Sequence, residues 1–178
     1  MDIAVIFLMP VLLVGFGLLI VKLRRLSWAG DVGIRLPEPR TGLLWLFAFL
    51  VLAIGAELVS KWFALEDPGG SWRGKYDAAN LAIRLLAIPL VYPLAEEFFF
   101  RGAFLGLLRR KFGDLVAILG SSALFAVAHM QYDWRGMLFV LVDALFFAIC
   151  RVRTGSLLLV MLMHVLGNSY AAWERLYG

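Results

Sequence analysis

The amino-acid sequence predicts an all-α, polytopic transmembrane helical bundle of about six spans with both termini outside the cytoplasm, and three observations lead there. Of the 178 residues, 62% are apolar by type and 17% charged, against about 45–50% and about 25% in ordinary soluble domains. Mean hydropathy over the whole chain is +0.86, which leaves too little polar surface to wrap a water-soluble core of this size. The apolar residues also fall in long runs without period-2 alternation, which favours helices over barrel strands. A soluble globular enzyme, a disordered chain and a nucleic-acid-binding module are set aside on these grounds. The basic pI of about 9.5 accompanies a formal net charge of only +4, and the basic residues cluster between apolar runs, where membrane orientation accounts for them. The single cysteine, Cys150, cannot form an internal disulfide.

The first span is expected at Ile3–Val21. Asp2 precedes it without a basic residue, and Lys22, Leu23, Arg24 and Arg25 follow where a cleavage site would need small residues. It therefore reads as a retained span and not a secretory signal. The second span is expected at Leu43–Ser60, and the third starts near Asn80 and can continue as helix to Leu108. The fourth covers Leu115–Met130, the fifth Gly136–Cys150 and the sixth Ser156–Trp173. The sizeable loops, 22–42 and 61–79, carry Gly, Pro and mixed charge, and no internal repeat stands out, so residues 1–178 read as one integral membrane domain.

Loop charges orient the bundle. Lys22, Arg24, Arg25, Arg35, Arg40, Arg109, Arg110, Lys111, Arg151 and Arg153 lie on one side, ten in number, against five on the other: Lys61, Arg73, Lys75, Arg135 and Arg175. The poorer side also holds Glu66, Asp67, Asp77, Asp133 and Glu174. The positive-inside rule puts the richer side in the cytoplasm and both termini outside. Trp62, Trp134 and Trp173 then fall at outer span ends, where interfacial indoles belong.

An ionisable side chain in hydrocarbon is costly and needs a reason. Those within the spans are Glu57, Arg84, Glu96, Glu97, Arg101, His129, Asp143 and His164, joined by the amide of Asn168. Glu97 and Arg101 are four apart on a helix and can pair on one face. Glu96 is rotated about 100° away, among Phe99 and Phe100, without that cation. Two adjacent carboxyl groups thus receive different environments, an arrangement suited to a general base. The plainer reading is a structural Glu–Arg pair beside a second glutamate that reaches water. Phe125 can pack against His129, four residues on, and a lone histidine in an apolar helix is often a packing residue. His164 and Asn168 share one face of the sixth span, where two polar groups can equally act as helix–helix glue. Glu57 and Arg84 are most simply a structural pair between the second and third spans.

Depth strengthens the combination. At 1.5 Å per residue from cytoplasmic ends at Leu108, Asp114 and Gly155, Glu96 lies about 18 Å in, His129 about 22 Å, His164 about 14 Å and Asn168 about 20 Å. Three helices of alternating direction bring a carboxylate, two imidazoles and an amide to a similar level, which reads as a water-containing site inside the bilayer.

Glu96-Glu97-x-x-x-Arg101, Phe125-x-x-x-His129 and His164-x-x-x-Asn168, in that order, resemble the three motifs of the CPBP family, the CAAX prenyl endopeptidases and bacteriocin-processing intramembrane proteases. The resemblance covers residues 81–169, the expected catalytic core, and Arg153-Thr154-Gly155-Ser156-Leu157 resembles the approach to the last motif. Ala144 and Ala148 stand where the family usually has glycines, Asp143 lies beside one of them, and Arg151 replaces a common aromatic. The resemblance implies an intramembrane endopeptidase in which Glu96, assisted by His129, activates water. It further implies that His164 and Asn168 stabilise the oxyanion, while Glu97 and Arg101 hold the motif helix and tune Glu96. It implies no cofactor in that mechanism; the alternative is zinc held by Glu96, His129 and His164, although no H-E-x-x-H pair is present.

The expected partners are the lipid bilayer and a peptide or membrane-protein substrate, with no nucleic acid, and the expected location is a bacterial cytoplasmic membrane. A non-catalytic membrane scaffold or regulator is the competing class. A small transporter built on Glu57, Arg84, Glu96 and Asp143 ranks behind it, because no inverted repeat appears.

Overall fold

Capping residues in the sequence set the helix ends. The computed structural model describes residues 3–63 and 70–177, and among them the secondary structure is helical, with no strand. Asp2, Glu66 and Asp67, which entered the charge and signal arguments, lie outside the described residues. Helix α1 spans Ile3–Arg24. A π-helical turn at Trp28–Val32 follows, opened by a reciprocal cap: Ser27 Oγ accepts from the Asp31 N–H at 3.1 Å and Asp31 accepts from the Ser27 N–H at 2.8 Å.

Helix α2 spans Pro39–Trp62, with proline in its first turn and the Glu38 carboxylate accepting from the N–H groups of Arg40 and Thr41 at 3.0 and 2.7 Å. The Thr41 hydroxyl, then the two N–H groups, hold the Glu38 carboxyl below its usual range. Helix α3 is continuous over Ala78–Phe112 and starts where Asp77 accepts from the Asn80 N–H at 2.8 Å. It widens into π-helix at Ala87–Val91 and Phe98–Phe104; Pro89 and Pro93 remove N–H donors around the first widening. Helices α4 (Asp114–Val127), α5 (Trp134–Thr154) and α6 (Leu157–Tyr177) complete the chain.

Each expected span has its helix, most of them longer than the apolar run alone, because polar caps and charged last turns extend them. Among the described residues three helices are long and apolar enough to cross a membrane, at Ile6–Arg24, Pro39–Trp62 and Ala78–Phe112, and Asp114–Val127 is a shorter apolar helix. Much of α1 and α2 presents large apolar side chains outward, as in Leu18, Leu43, Phe47 and Ile54, the pattern of a multi-pass membrane protein.

Side-chain pairs fix the packing directions. Helix α6 runs antiparallel to α3, since Leu157 meets Gly102, His164 meets Glu97 and Asn168 meets Ile88. Phe125 sits with Phe100 and Ala144, and Ala117 with Leu105 and Ala148, so α4 runs against both α3 and α5. Ala117, Ala144 and Ala148 are fully buried; small residues let these backbones approach. Helix α1 lies along α3 through Gly17 on Phe98 and Val21 near Ala103. Helix α2 leans on α5 and α6 through Phe49, Phe147 and Met163.

Two expectations are corrected. Glu57 pairs with Lys61 at 2.7 Å on its own helix, not with Arg84. Arg84 instead stacks its guanidinium 4.0 Å over the Tyr76 ring, since a partner one helical turn away needs no tertiary alignment while an aromatic face takes a cation without a countercharge. Arg151, expected as a loop cation, is fully buried in the last turn of α5. It donates to the carbonyls of Asp31 at 2.8 Å and Val32 at 3.3 Å, and Arg35 donates in return to those of Gly155 at 3.0 Å and Thr154 at 3.3 Å. The α1–α2 loop is thereby bolted to the α5–α6 turn. Gly33 and Gly155 adopt φ of 85° and 67°, and a Cβ on either would meet the guanidinium of Arg151 or Arg35.

Candidate active site

Adjacent positions on α3 send the two glutamates in different directions. Glu97 is fully buried, and its Oε1 forms an ion pair with Arg101 Nη1 at 3.1 Å, the i,i+4 pair expected from the sequence. The same oxygen lies 2.8 Å from His164 Nδ1 on α6. Arg101 is also fully buried. Its Nη2 donates to the Ala144 carbonyl at 3.3 Å and its plane lies 4.1 Å over the Phe125 ring, so a carboxylate, a carbonyl and an aromatic face replace water around the cation.

Glu96 faces the other edge of the same imidazole, with its Oε2 3.8 Å from His164 Nε2. Both side chains keep slight access, 14% for Glu96 and 12% for His164. His164 therefore stands between the two glutamates, and the i to i+1 rotation of α3 places one carboxyl on each ring nitrogen. Phe147 and Phe125 border the imidazole at 5.4 and 6.0 Å between ring centroids.

His129 departs from the expected span. Helix α4 ends at Val127 and His129 sits in the turn beyond it, its N–H bonded to the Ala126 carbonyl at 3.0 Å. The ring packs on Phe125 at 4.5 Å, as the spacing suggested, with Nδ1 2.8 Å from the Phe125 carbonyl. Phe125 thus touches both imidazoles, while no hydrogen bond or ion pair among the described residues joins His129 to Glu96.

Asn168 has a structural duty that spacing does not reveal. Its amide donates to the Ile88 carbonyl at 3.2 Å. That carbonyl lies in the first π-helical stretch of α3, where the Tyr92 N–H goes to Ala87 instead and Pro93 has no N–H to give. Asn168 satisfies it, keeping one N–H and its carbonyl for other contacts. The site therefore divides into a tight core of Glu96, Glu97, Arg101 and His164, with His129 joined through Phe125 and Asn168 one turn along α6. Asp143 is the further acidic group here, on α5 between Val140, which packs with Phe100 and Phe125, and Phe147, which borders His164.

As a zinc site the donors fit poorly. His164 Nδ1 is engaged by Glu97, His129 stands beyond Phe125, and no group of three or more His, Cys, Asp or Glu among the described residues converges to hold a metal ion.

Comparison with known proteins agrees with the motifs. An Escherichia coli protein described as an uncharacterized 24.3 kDa protein is 32% identical over 132 residues, which is 70% of this chain and 60% of that protein. The chain thus spans less than two thirds of the length of this relative. No solved structure matches. Residues 78–170 match the family described as type II CAAX prenyl endopeptidase Rce1-like, a stretch that holds all three motifs and every residue of the site. The chain belongs to the Rce1-like family of type II CAAX prenyl endopeptidases.

Proposed function

We propose that the protein is an intramembrane endopeptidase that hydrolyses a peptide bond in a peptide or membrane-protein segment, with water activated by Glu96. The supporting observation is the placement of His164, held by Glu97 through Nδ1 and facing Glu96 through Nε2. Glu96 takes a proton from water, and the hydroxide attacks the scissile carbonyl carbon. With Nδ1–H given to the Glu97 carboxylate, Nε2 donates to an oxyanion once it receives a proton, and Glu96 is the neighbouring source. His164 and the free N–H of Asn168 then stabilise the tetrahedral oxyanion. Collapse breaks the C–N bond, and the same proton leaves with the amine. His129 orients the water, and Arg101 pairs with the Glu97 that holds His164. No step uses a metal. In this reading the protein lies in a bacterial cytoplasmic membrane with the basic last turn of α3 at 109–111 inside and both termini outside.

Trapping tests the proposal. The Glu96→Gln protein should fold, lose turnover, and accumulate or co-purify an uncleaved membrane substrate that the parent cleaves. Equal turnover by parent and Glu96→Gln would refute it.

A further inference from the structure

We propose that Asp143 determines specificity, taking the cationic side chain of a lysine or arginine near the cleaved bond; this rests on the endopeptidase reading above. An ionised side chain within the bilayer requires a partner, and the buried charges of this chain have theirs, whereas Asp143 is half-buried. Glu97 has Arg101 and His164, Arg151 has two carbonyls, and Arg84 has the Tyr76 face. Asp143 makes no hydrogen bond or ion pair among the described residues. No ion pair joins it to Arg101, whose guanidinium is turned to Glu97, the Ala144 carbonyl and the Phe125 ring.

Its position puts this carboxylate on the wall of the site. Phe147, one turn further along α5, borders His164 at 5.4 Å, and Val140, one turn before, packs with Phe100 and Phe125. Asp143 lies between them on that face. Glu96, Glu97 and Asp143 put three carboxyl groups beside the Arg101 guanidinium and the His164 imidazole, which is already shared between the two glutamates, so the ligand complementary to Asp143 is a cation. A neutral peptide would bury this carboxylate without a partner, which is costly. The level of Asp143 is given by Ala144, which packs with Phe100, four residues after Glu96. That offset is about 6 Å along α3, or about two residues of extended peptide. The cation should lie within about two residues of the cleaved bond.

The test uses the full chain in liposomes and two apolar decapeptides that differ at one place, two residues from the centre, where one carries lysine and the other norleucine. The expected result is a lysine preference of roughly 30-fold in kcat/KM, which collapses toward one in Asp143→Asn and persists in Asp143→Glu. Binding of both peptides to Glu96→Gln is measured alongside, and again with Asp143→Asn added. If neither peptide is cleaved but a lysine preference in binding disappears with Asp143→Asn, the cation site stands and the endopeptidase reading fails. A parent ratio near one in both cleavage and binding, or a preference unchanged in Asp143→Asn, overturns the proposal.

Discussion

Replacing Glu97 by glutamine should destabilise the protein more than any comparable polar substitution at the site. The change keeps side-chain volume but leaves the guanidinium of Arg101, 0% exposed, without its carboxylate. What remains around it is one carbonyl at 3.3 Å and the Phe125 ring, neither of which carries a full negative charge. Removing one partner of a buried pair costs about 3–5 kcal/mol, and each kcal/mol shifts Tm by roughly 2–4 °C in a chain of this size. The expected fall is therefore roughly 6–20 °C, read from intrinsic fluorescence in detergent, for which the chain's 6 tryptophans suffice. The double variant Glu97→Leu/Arg101→Met removes both charges and should regain most of the loss, because an apolar pair of similar volume is often neutral at such a site. Activity should not return with it, since His164 Nδ1 has lost its anchor. A Tm for Glu97→Gln within about 2 °C of the parent, or a double variant as unstable as the sum of the singles, would refute the account of this pair.

Glu96→Gln should reduce turnover by three orders of magnitude or more, on the order expected for loss of a general base together with its proton transfer, while Tm stays within a few degrees of the parent. Asn168→Ala should lower the rate by roughly 10²–10³-fold through loss of an oxyanion donor and cost about 1–3 kcal/mol by leaving the Ile88 carbonyl unpaired; Asn168→Asp should be at least as harmful, because an ionised carboxylate cannot donate to that carbonyl. Elemental analysis of active protein should find far less than one zinc per chain, with activity surviving chelation. One zinc per chain and inhibition reversed by zinc would instead make His129 and His164 ligands. Single cysteines placed at 109–111, in the last turn of α3, in a Cys150→Ala background should be shielded from impermeant reagents in intact cells, and those near residue 175 labelled; the opposite pattern overturns the orientation.

What the sequence determined by itself is what depends on local spacing and on composition. Excess apolar content with long uninterrupted runs leaves helices in a bilayer as the workable solution, so the six segments are legible in the chain alone. The Glu97–Arg101 pair follows from the i,i+4 geometry of one helix, and it survives the π-helical widening of α3 beside it. The packing of Phe125 on His129 is equally local. Three ordered motifs suffice to indicate the family.

The tertiary structure decided everything that needs two helices in register. Nothing in the spacing says that Glu97 also holds His164, 67 positions away, because that bond depends on how α3 and α6 lie antiparallel. Asn168 reads as a catalytic amide, yet which backbone carbonyl it meets depends on an orphan created by Pro93 on another helix. Arg151 reads as a loop cation because charge counting carries no burial; only the fold brings the carbonyls of Asp31 and Val32 to it. Glu57 and Arg84 read as a pair across helices, although Glu57 has a partner one turn away on its own. Asp143 carries no spacing signal, and only the packing of α5 brings its turn beside Phe147, which borders His164. Local chemistry is written in intervals of three and four residues, whereas a buried charge finds its partner only after helices choose their neighbours.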